Sequence, residues 1–132
     1  MISFDGGSRG NPGPAGIGAV VIDPVAAPPE RLATVSEYIG ETTNNVAEYR
    51  ALIAGLEAAR AFPARAVEVR GDSKLVIQQV RGSWKVKQPQ HRPLMEDVRR
   101  LLAAYERTRL VHVPREQNKD ADLLVNAALD AR

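Results

Sequence analysis

ISFDGGSRGNPGPAGIGAVVI, residues 2–22, decides how the chain begins to fold. Ile2 to Asp5 reads as a short strand. It runs into DGGSRGNPGPAG, so dense in glycine and proline that a turn or loop is expected there. GIGAVVI, Gly16 to Ile22, is the second strand. Pro24 to Glu30 carries three prolines and reads as a hairpin-type loop. LATVSEYI, Leu32 to Ile39, largely alternates apolar and polar residues, as a half-buried strand does. Three strands in succession with short connections predict an antiparallel meander.

Beyond it the period changes. Gly40 leads into ETTNN, a cluster of residues that cap helices. Val46, Tyr49, Leu52, Ile53 and Leu56 then recur at helical spacing, which predicts a helix from Asn45 to Ala61, ended by Pro63. AVEVR, Ala66 to Arg70, is a strand. Asp72 and Ser73 cap a helix over Lys74 to Arg81, broken by Gly82. Ser83 to Pro93 is irregular and basic, with Trp84 inside it. Leu94 to Tyr105 is helical, Leu110 to Val113 is the last strand, and Asp120 to Ala131 is the last helix. The order β β β α β α α β α predicts an α/β domain: one mixed five-stranded sheet, three antiparallel strands and then parallel ones, with helices on both faces. Residues 1–132 are expected to form one domain, with no internal repeat or linker.

Composition narrows the chemistry. Apolar residues make up 44% of the chain and charged residues 26%, which is ordinary for a folded domain. The absence of cysteine rules out a disulfide framework, a thiolate metal site and a thiol nucleophile. No apolar run approaches the roughly 18–20 residues that span a bilayer, and no charged-then-apolar leader opens the chain. The expected compartment is therefore the cytoplasm, with no membrane partner. The net charge is only +2. Its distribution is uneven: Arg65 to Arg100 holds nine basic residues against Glu68, Asp72, Glu96 and Asp97. That excess suits either a phosphate-facing patch or a solvated helix surface.

Four acids stand at element ends. Asp5 ends the first strand and Asp72 lies just past the fourth, where open α/β sheets gather ligands. Glu48, in the first turn of the long helix, borders the face that Leu52 continues. Asp122 does the same beside Val125 and Leu129. Each has a plainer reading. Glu48 could close a capping box with Asn45. Asp72 or Ser73 could cap the next helix. Asp5 could be a turn residue before Gly6 and Gly7. Asp122 could answer the helix dipole. Read together, four carboxylates without a histidine or cysteine cluster suit a hard, oxygen-seeking ion such as magnesium or manganese. Two such ions roughly 4 Å apart can clamp the attacking and leaving oxygens of a phosphodiester.

Four stretches, in order and over nearly the whole chain, resemble the motifs of type 1 ribonuclease H. They are DGGSRGNPGPAG (Asp5–Gly16), TTNNVAEYRAL (Thr42–Leu52), VRGDSKLVIQQV (Val69–Val80) and VPREQNKDADLLVNAAL (Val113–Leu129). The resemblance implies that Asp5, Glu48, Asp72 and Asp122 are catalytic metal ligands. It implies two-metal endonucleolytic hydrolysis of the RNA strand of RNA–DNA hybrids, leaving 5′-phosphate and 3′-hydroxyl ends. Two Mg2+ ions (Mn2+ as an alternative) would share the site when substrate is bound. Asn11, Asn44 and Asn45 match positions that read the hybrid's backbone and minor groove, where the 2′-hydroxyl distinguishes RNA. Capping or left-handed turn geometry is the plainer reading of the same asparagines. Thr43 matches a position that helps bind a DNA phosphate. Gly6, Gly7, Ser8 and Ser73 are the remaining implied contacts within the motifs.

The departures from the family are specific. Many members carry a histidine in the loop before the last acid; here Arg115 stands where that role is expected, able to bind the scissile phosphate but not to shuttle protons. His112 falls on the strand as either a structural or a catalytic histidine, and His91 reads as a loop residue. The long basic protrusion of some members shrinks to Gly82–Pro93, so the chain is similar to the compact archaeal-like subgroup found also in bacteria. Trp84, Lys85 and Lys87 are then either the remnant of that protrusion or contacts to the DNA strand, and Trp84 suits a core equally well. A monomer is expected, with double-stranded RNA open as a second substrate. A catalytically silent hybrid-binding module of the same fold is the alternative function. The strand starting at residue 2 leaves open that the chain is one domain of a longer protein.

Overall fold

The computed structural model describes every residue, Met1–Arg132. Five strands and four helices follow the expected order: β1 (Ile2–Ser8), β2 (Gly13–Asp23), β3 (Glu30–Thr42), α1 (Asn44–Ala59), β4 (Ala66–Gly71), α2 (Lys74–Arg81), α3 (Arg92–Leu102), β5 (Arg107–His112) and α4 (Lys119–Ala131). Short 3-10 turns occupy Pro89–His91 and Arg115–Gln117. The five strands form one sheet in the order β3-β2-β1-β4-β5. β1 and β3 flank β2 antiparallel, whereas β1, β4 and β5 run parallel. This is the mixed sheet the sequence predicts.

The period-two pattern of β1 and β2 assigns the two faces. Ile2, Phe4, Ile17, Ala19 and Val21 point to one side, where they join Tyr49, Leu52 and Leu56 of α1, Val76 and Ile77 of α2 and Val98 of α3 in the main core. The opposite side presents Gly16 and Gly18, on which α4 lies through Ala121, Val125 and Leu129. Helices therefore cover both faces. α1 is apolar on most of its surface because it is enclosed between the sheet and α3. Truncating Leu52 or Phe4, both essentially inaccessible, to alanine would cost about 3–5 kcal/mol.

Several boundaries depart from the sequence reading. The glycine-rich segment is not one long loop. Gly6, Gly7 and Ser8 stay extended and pair with Ile17, Gly16 and Ala15, which leaves only residues 9–12 to turn. β3 runs past Ile39 to Thr42 by way of a bulge. Ala15 pairs with Gly40 and Gly16 with Tyr38, so Ile39 is the extra residue and Gly40 takes φ +83°, a conformation that suits glycine. α3 starts earlier, at Arg92, and ends at Leu102. Tyr105 reaches the core from the following turn instead of from the helix. β5 begins at Arg107, not Leu110. It is an edge strand, and Arg107, Thr108 and Arg109 face water, which removes the apolar signal. No helix is long and apolar enough to cross a membrane.

Candidate active site

Asp5 lies inside β1 and not at its end, because β1 continues to Ser8. It is nevertheless the first residue past the parallel ladder with β4, whose last pair is Phe4 with Gly71. Asp72 follows Gly71 directly. Two carboxylates thus leave neighbouring strands at the same level.

Two glycines bring the other acids to them. Gly18 sits opposite Asp5 in the β1–β2 ladder. A Cβ on Gly18 would stand 2.4 Å from the carbonyl oxygen of Ala121, so only glycine lets α4 lie this close, and Asp122 is the next residue. On the other side, a Cβ on Gly6 would stand 2.3 Å from the carbonyl oxygen of Ala47 and 2.6 Å from the amide of Glu48. Backbone contact on both flanks of Asp5 thereby delivers Asp122 and Glu48. All four carboxylates line one open cavity of about 350 Å3, together with Gly6, Gly7, Ser8, Arg9, Asn44, Arg115 and Asn126. A larger groove, about 970 Å3, lies at the other end of the sheet. Its acids, Asp23 and Glu68, face cations, the Met1 amino group and the Arg70 and Arg109 guanidinium groups, so volume does not select the site.

The electrostatics of the cavity are those of crowded like charges. Burial, then the negative charge of Asp72, then Asp122 and Glu48, push the Asp5 carboxyl from 3.8 up to about 8. Burial raises Glu48 to about 7; a hydrogen bond with Ser73 opposes the rise and the charge of Asp72 adds to it. Oxygen donors that repel one another in this way fit a divalent cation, which would relieve the repulsion. No group of three or more acids or histidines lies close enough to hold a metal ion by itself, so an ion here would need water or substrate oxygens to complete its shell.

The plainer readings of these acids separate cleanly. Thr43 caps α1 by accepting from the Val46 amide at 3.3 Å, so Glu48 takes no part in a capping box. Ser73 caps α2 by accepting from the Val76 amide, which leaves the Asp72 side chain free. Asp122 does stand in the first turn of α4, where the dipole favours it. The asparagines do not adopt left-handed geometry, since no residue other than glycine has positive φ. Asn44 accepts through Oδ1 from the amide and hydroxyl of Ser8, at 2.8 and 3.0 Å. Asn11 Oδ1 accepts from the Asn44 amide at 3.1 Å. Both side-chain carbonyls are engaged by the protein, so each amide keeps its NH2 as the group left to donate outward.

A family model described as "Reverse transcriptase-like" matches residues 3–128. The chain is 46% identical over 127 residues to Ribonuclease HI of Halobacterium salinarum, covering 96% of this chain and 62% of that protein. The RNase H1 structure from the same archaeon superposes with a TM-score of 0.92 at 44% identity, covering 99% of this chain and 97% of the solved one. The N-terminal RNase H domain of a Mycobacterium tuberculosis protein superposes with a TM-score of 0.91 at 47% identity, over 98% of both chains. LC11-RNase H1, isolated from compost and solved in complex with RNA/DNA hybrid, gives a TM-score of 0.90 at 45% identity, over 98% of this chain and 96% of that one.

The chain belongs to the type 1 ribonuclease H family.

It spans about a third of the length of the mycobacterial bifunctional protein it matches (35%) and 62% of the halobacterial one. In this ribonuclease H chain Arg115 sits on the 3-10 turn before α4, with 79% of its side chain exposed and its guanidinium 3.8 Å from Asp122. Trp84 is not a core residue; it is 43% exposed, with the Lys74 ammonium 5.8 Å from its ring centroid. Trp84, Lys85, Lys87 and Asn45 line a second cavity of about 640 Å3 with His91 and Gln79. His91 is not a solvated loop residue either. It is 2% exposed, its ring centroid lies 5.7 Å from that of Tyr49, and burial lowers its pKa. Two more residues stand near the carboxylates: His112, left by the sequence between a structural and a catalytic role, and Asn126, which it did not single out. The ring of His112 on β5 brings Nε2 to 3.3 Å from the Asp72 carbonyl oxygen. Asn126 lines the carboxylate cavity four residues after Asp122, a helical spacing that could have found it.

Proposed function

We propose that the chain is an endonuclease that hydrolyses the RNA strand of RNA–DNA hybrids by a two-metal mechanism, leaving 5′-phosphate and 3′-hydroxyl ends. In this reading residues 1–132 are the catalytic unit. The observation that carries the proposal is the meeting of Asp5, Glu48, Asp72 and Asp122, from four separate elements, in one cavity where burial and then their like charges raise Asp5 to about 8. The relative solved with RNA/DNA hybrid, at 45% identity over nearly the whole chain, supports the choice of substrate.

The four carboxylates would hold two Mg2+ ions, or Mn2+ in their place, as oxygen ligands. When bound, the ions supply an attacking water of lowered pKa and neutralise charge on the phosphate and the departing oxygen. The other residues position. Arg115, always charged, draws the scissile phosphate towards Asp122's side of the cavity and cannot carry protons. The NH2 groups of Asn11, Asn44 and Asn45 donate to the minor-groove edge, where purine N3, pyrimidine O2 and the 2′-hydroxyl all accept. With the carbonyls of Asn11 and Asn44 already engaged, these two can only donate and so accept every base, which suits cleavage without sequence preference. The backbone of Gly6, Gly7 and Ser8 and the hydroxyl of Ser73 complete the RNA side. Thr43, Trp84 and Lys85 face the DNA strand.

A labelled RNA–DNA duplex incubated with magnesium tests this. Internal cuts in the RNA strand are expected, and either chelator or Asp72→Asn should abolish them. Cleavage of the DNA strand, or cleavage that survives chelator, would overturn the assignment.

A further inference from the structure

Tyr49 follows Glu48 on α1 but points the other way, into the core, where it is inaccessible to solvent. Its hydroxyl donates to Gln79 Oε1 at 2.5 Å. Gln79 is 3% exposed near the end of α2, and its Nε2 donates to the carbonyl oxygen of Lys85 at 3.2 Å. Both ends of this amide are therefore committed, and its orientation is fixed. The loop it holds has few other ties. Ser83 and Trp84 donate their amides to Gln78 O, and the next backbone bond downstream is His91 to Gln88. Lys85 O is thus the outermost anchor of the segment that displays Trp84, Lys85 and Lys87 around the 640 Å3 cavity. His91 closes the far side, its ring against Tyr49.

A buried glutamine is costly unless both its ends are bonded, and an apolar residue of similar size would pack there at least as well. The relay connects the helix that carries Glu48 to the loop that carries Trp84. We propose that Gln79, held by Tyr49, is a positioning residue for the duplex: it fixes the Trp84–Lys85 loop at one distance and angle from the carboxylate cavity. This inference rests on the reading of the chain as a hybrid-cutting enzyme with its DNA-strand contacts on that loop. A duplex spanning both regions binds well only if their separation is set beforehand. Without the relay, binding has to order the loop and the chemistry is untouched.

The test is steady-state cleavage of a hybrid by Gln79→Leu, Tyr49→Phe, Trp84→Ala and the Gln79→Leu/Trp84→Ala double variant, with thermal melts of each. Gln79→Leu is expected to raise KM about tenfold, the scale of fixing about one residue of backbone on binding, with kcat unchanged. Tyr49→Phe keeps the ring and frees only the amide, so it should act in the same direction but less. It carries the test should Gln79→Leu fail to fold. In the Trp84→Ala background the Gln79 substitution should add less to KM than it does alone, because the loop then has only its lysines left to position. A fall in kcat with KM unchanged, an additive effect in the double variant, or no effect in either single variant would overturn the inference. Wild-type protein that leaves hybrid uncut would sink the hydrolase reading and this inference with it. A wild type that cuts, beside a Gln79→Leu that is unaffected, would sink the inference alone.

Discussion

Replacing Asp5 with Asn should remove activity and, without metal, make the protein more stable. The folded protein pushes this carboxyl from 3.8 up to about 8, mainly by burial and by Asp72. The unfolded chain imposes neither. Between about pH 4 and pH 8 the folded state therefore holds a proton that the unfolded state has released. Stability from this group is fully present below the unfolded pKa and is lost as pH rises through the folded one. At about 1.4 kcal/mol per unit, the loss reaches a ceiling of about 5 kcal/mol at pH 7.5 and about 2 kcal/mol at pH 5. Asparagine is neutral throughout and nearly isosteric, though imperfect bonding of a new buried amide offsets part of the gain.

The expected net gain for Asp5→Asn in chelator is about 2–4 kcal/mol at pH 7.5, a rise in Tm on the order of 10 °C for a domain of this size. At pH 5 the gap between variant and wild type should shrink to less than half. Saturating Mg2+ should raise the wild-type Tm and leave the variant nearly unmoved, since ligand binding to the folded state alone is stabilising. Melts followed by circular dichroism at the two pH values, with and without chelator, read all of this. Equal Tm values at pH 7.5, or a gap that does not change with pH, would refute the claim that the four carboxylates oppose one another in one pocket.

Arg115→Ala should slow turnover by about tenfold or more while leaving the Mg2+ dependence of Tm unchanged, because the guanidinium acts on phosphate and not on the cation. An unaltered turnover number would end that role. Gly18→Ala should destabilise the protein by about 1–3 kcal/mol in a denaturant melt and lower activity as well, since a Cβ 2.4 Å from the Ala121 carbonyl forces α4, and Asp122 with it, off the sheet. A variant of native stability and activity would show that α4 can shift without cost.

The helical spacing of Val46, Tyr49, Leu52 and Leu56 made α1 legible, and the alternation in Leu32–Ile39 did the same for β3. The extension of β1 to Ser8 was not legible. A glycine looks the same in sequence whether it serves a turn or a close approach, and Gly6 serves the second. The start of β5 was hidden for a different reason: Arg107–Arg109 sit on an edge strand with little apolar pattern to read. His91 gave no signal, because its burial depends on Tyr49, 42 positions earlier in the numbering, being turned towards it. The four acids could be picked out, but what gathers them is the register of Asp5 against Gly18 and of Phe4 against Gly71, and register is a property of the assembled sheet.

That assembly also shows how acids can stand at helix starts without being used up there. At two of the three helix starts beside the acids, the end-capping work falls to another residue. Thr43 satisfies the start of α1, and Glu48, one turn in, is not needed there. Ser73 satisfies α2, so Asp72 beside it is free. At α4 the N-cap residue Asn118 does not bond its own helix; it donates through Nδ2 to the Phe4 carbonyl oxygen at 2.8 Å. That bond ties the helix to β1 at the residue immediately before Asp5, and Asp122 lies one turn further on. A carboxylate committed to capping amides would have its pKa pulled down and its lone pairs occupied. Asp5 and Glu48 are instead pushed up to about 8 and about 7. Hydroxyls at the starts of α1 and α2, and an Asn118 that ties α4 to β1, therefore leave the carboxylates mutually repelling and open to a cation, which is the property the proposed chemistry needs.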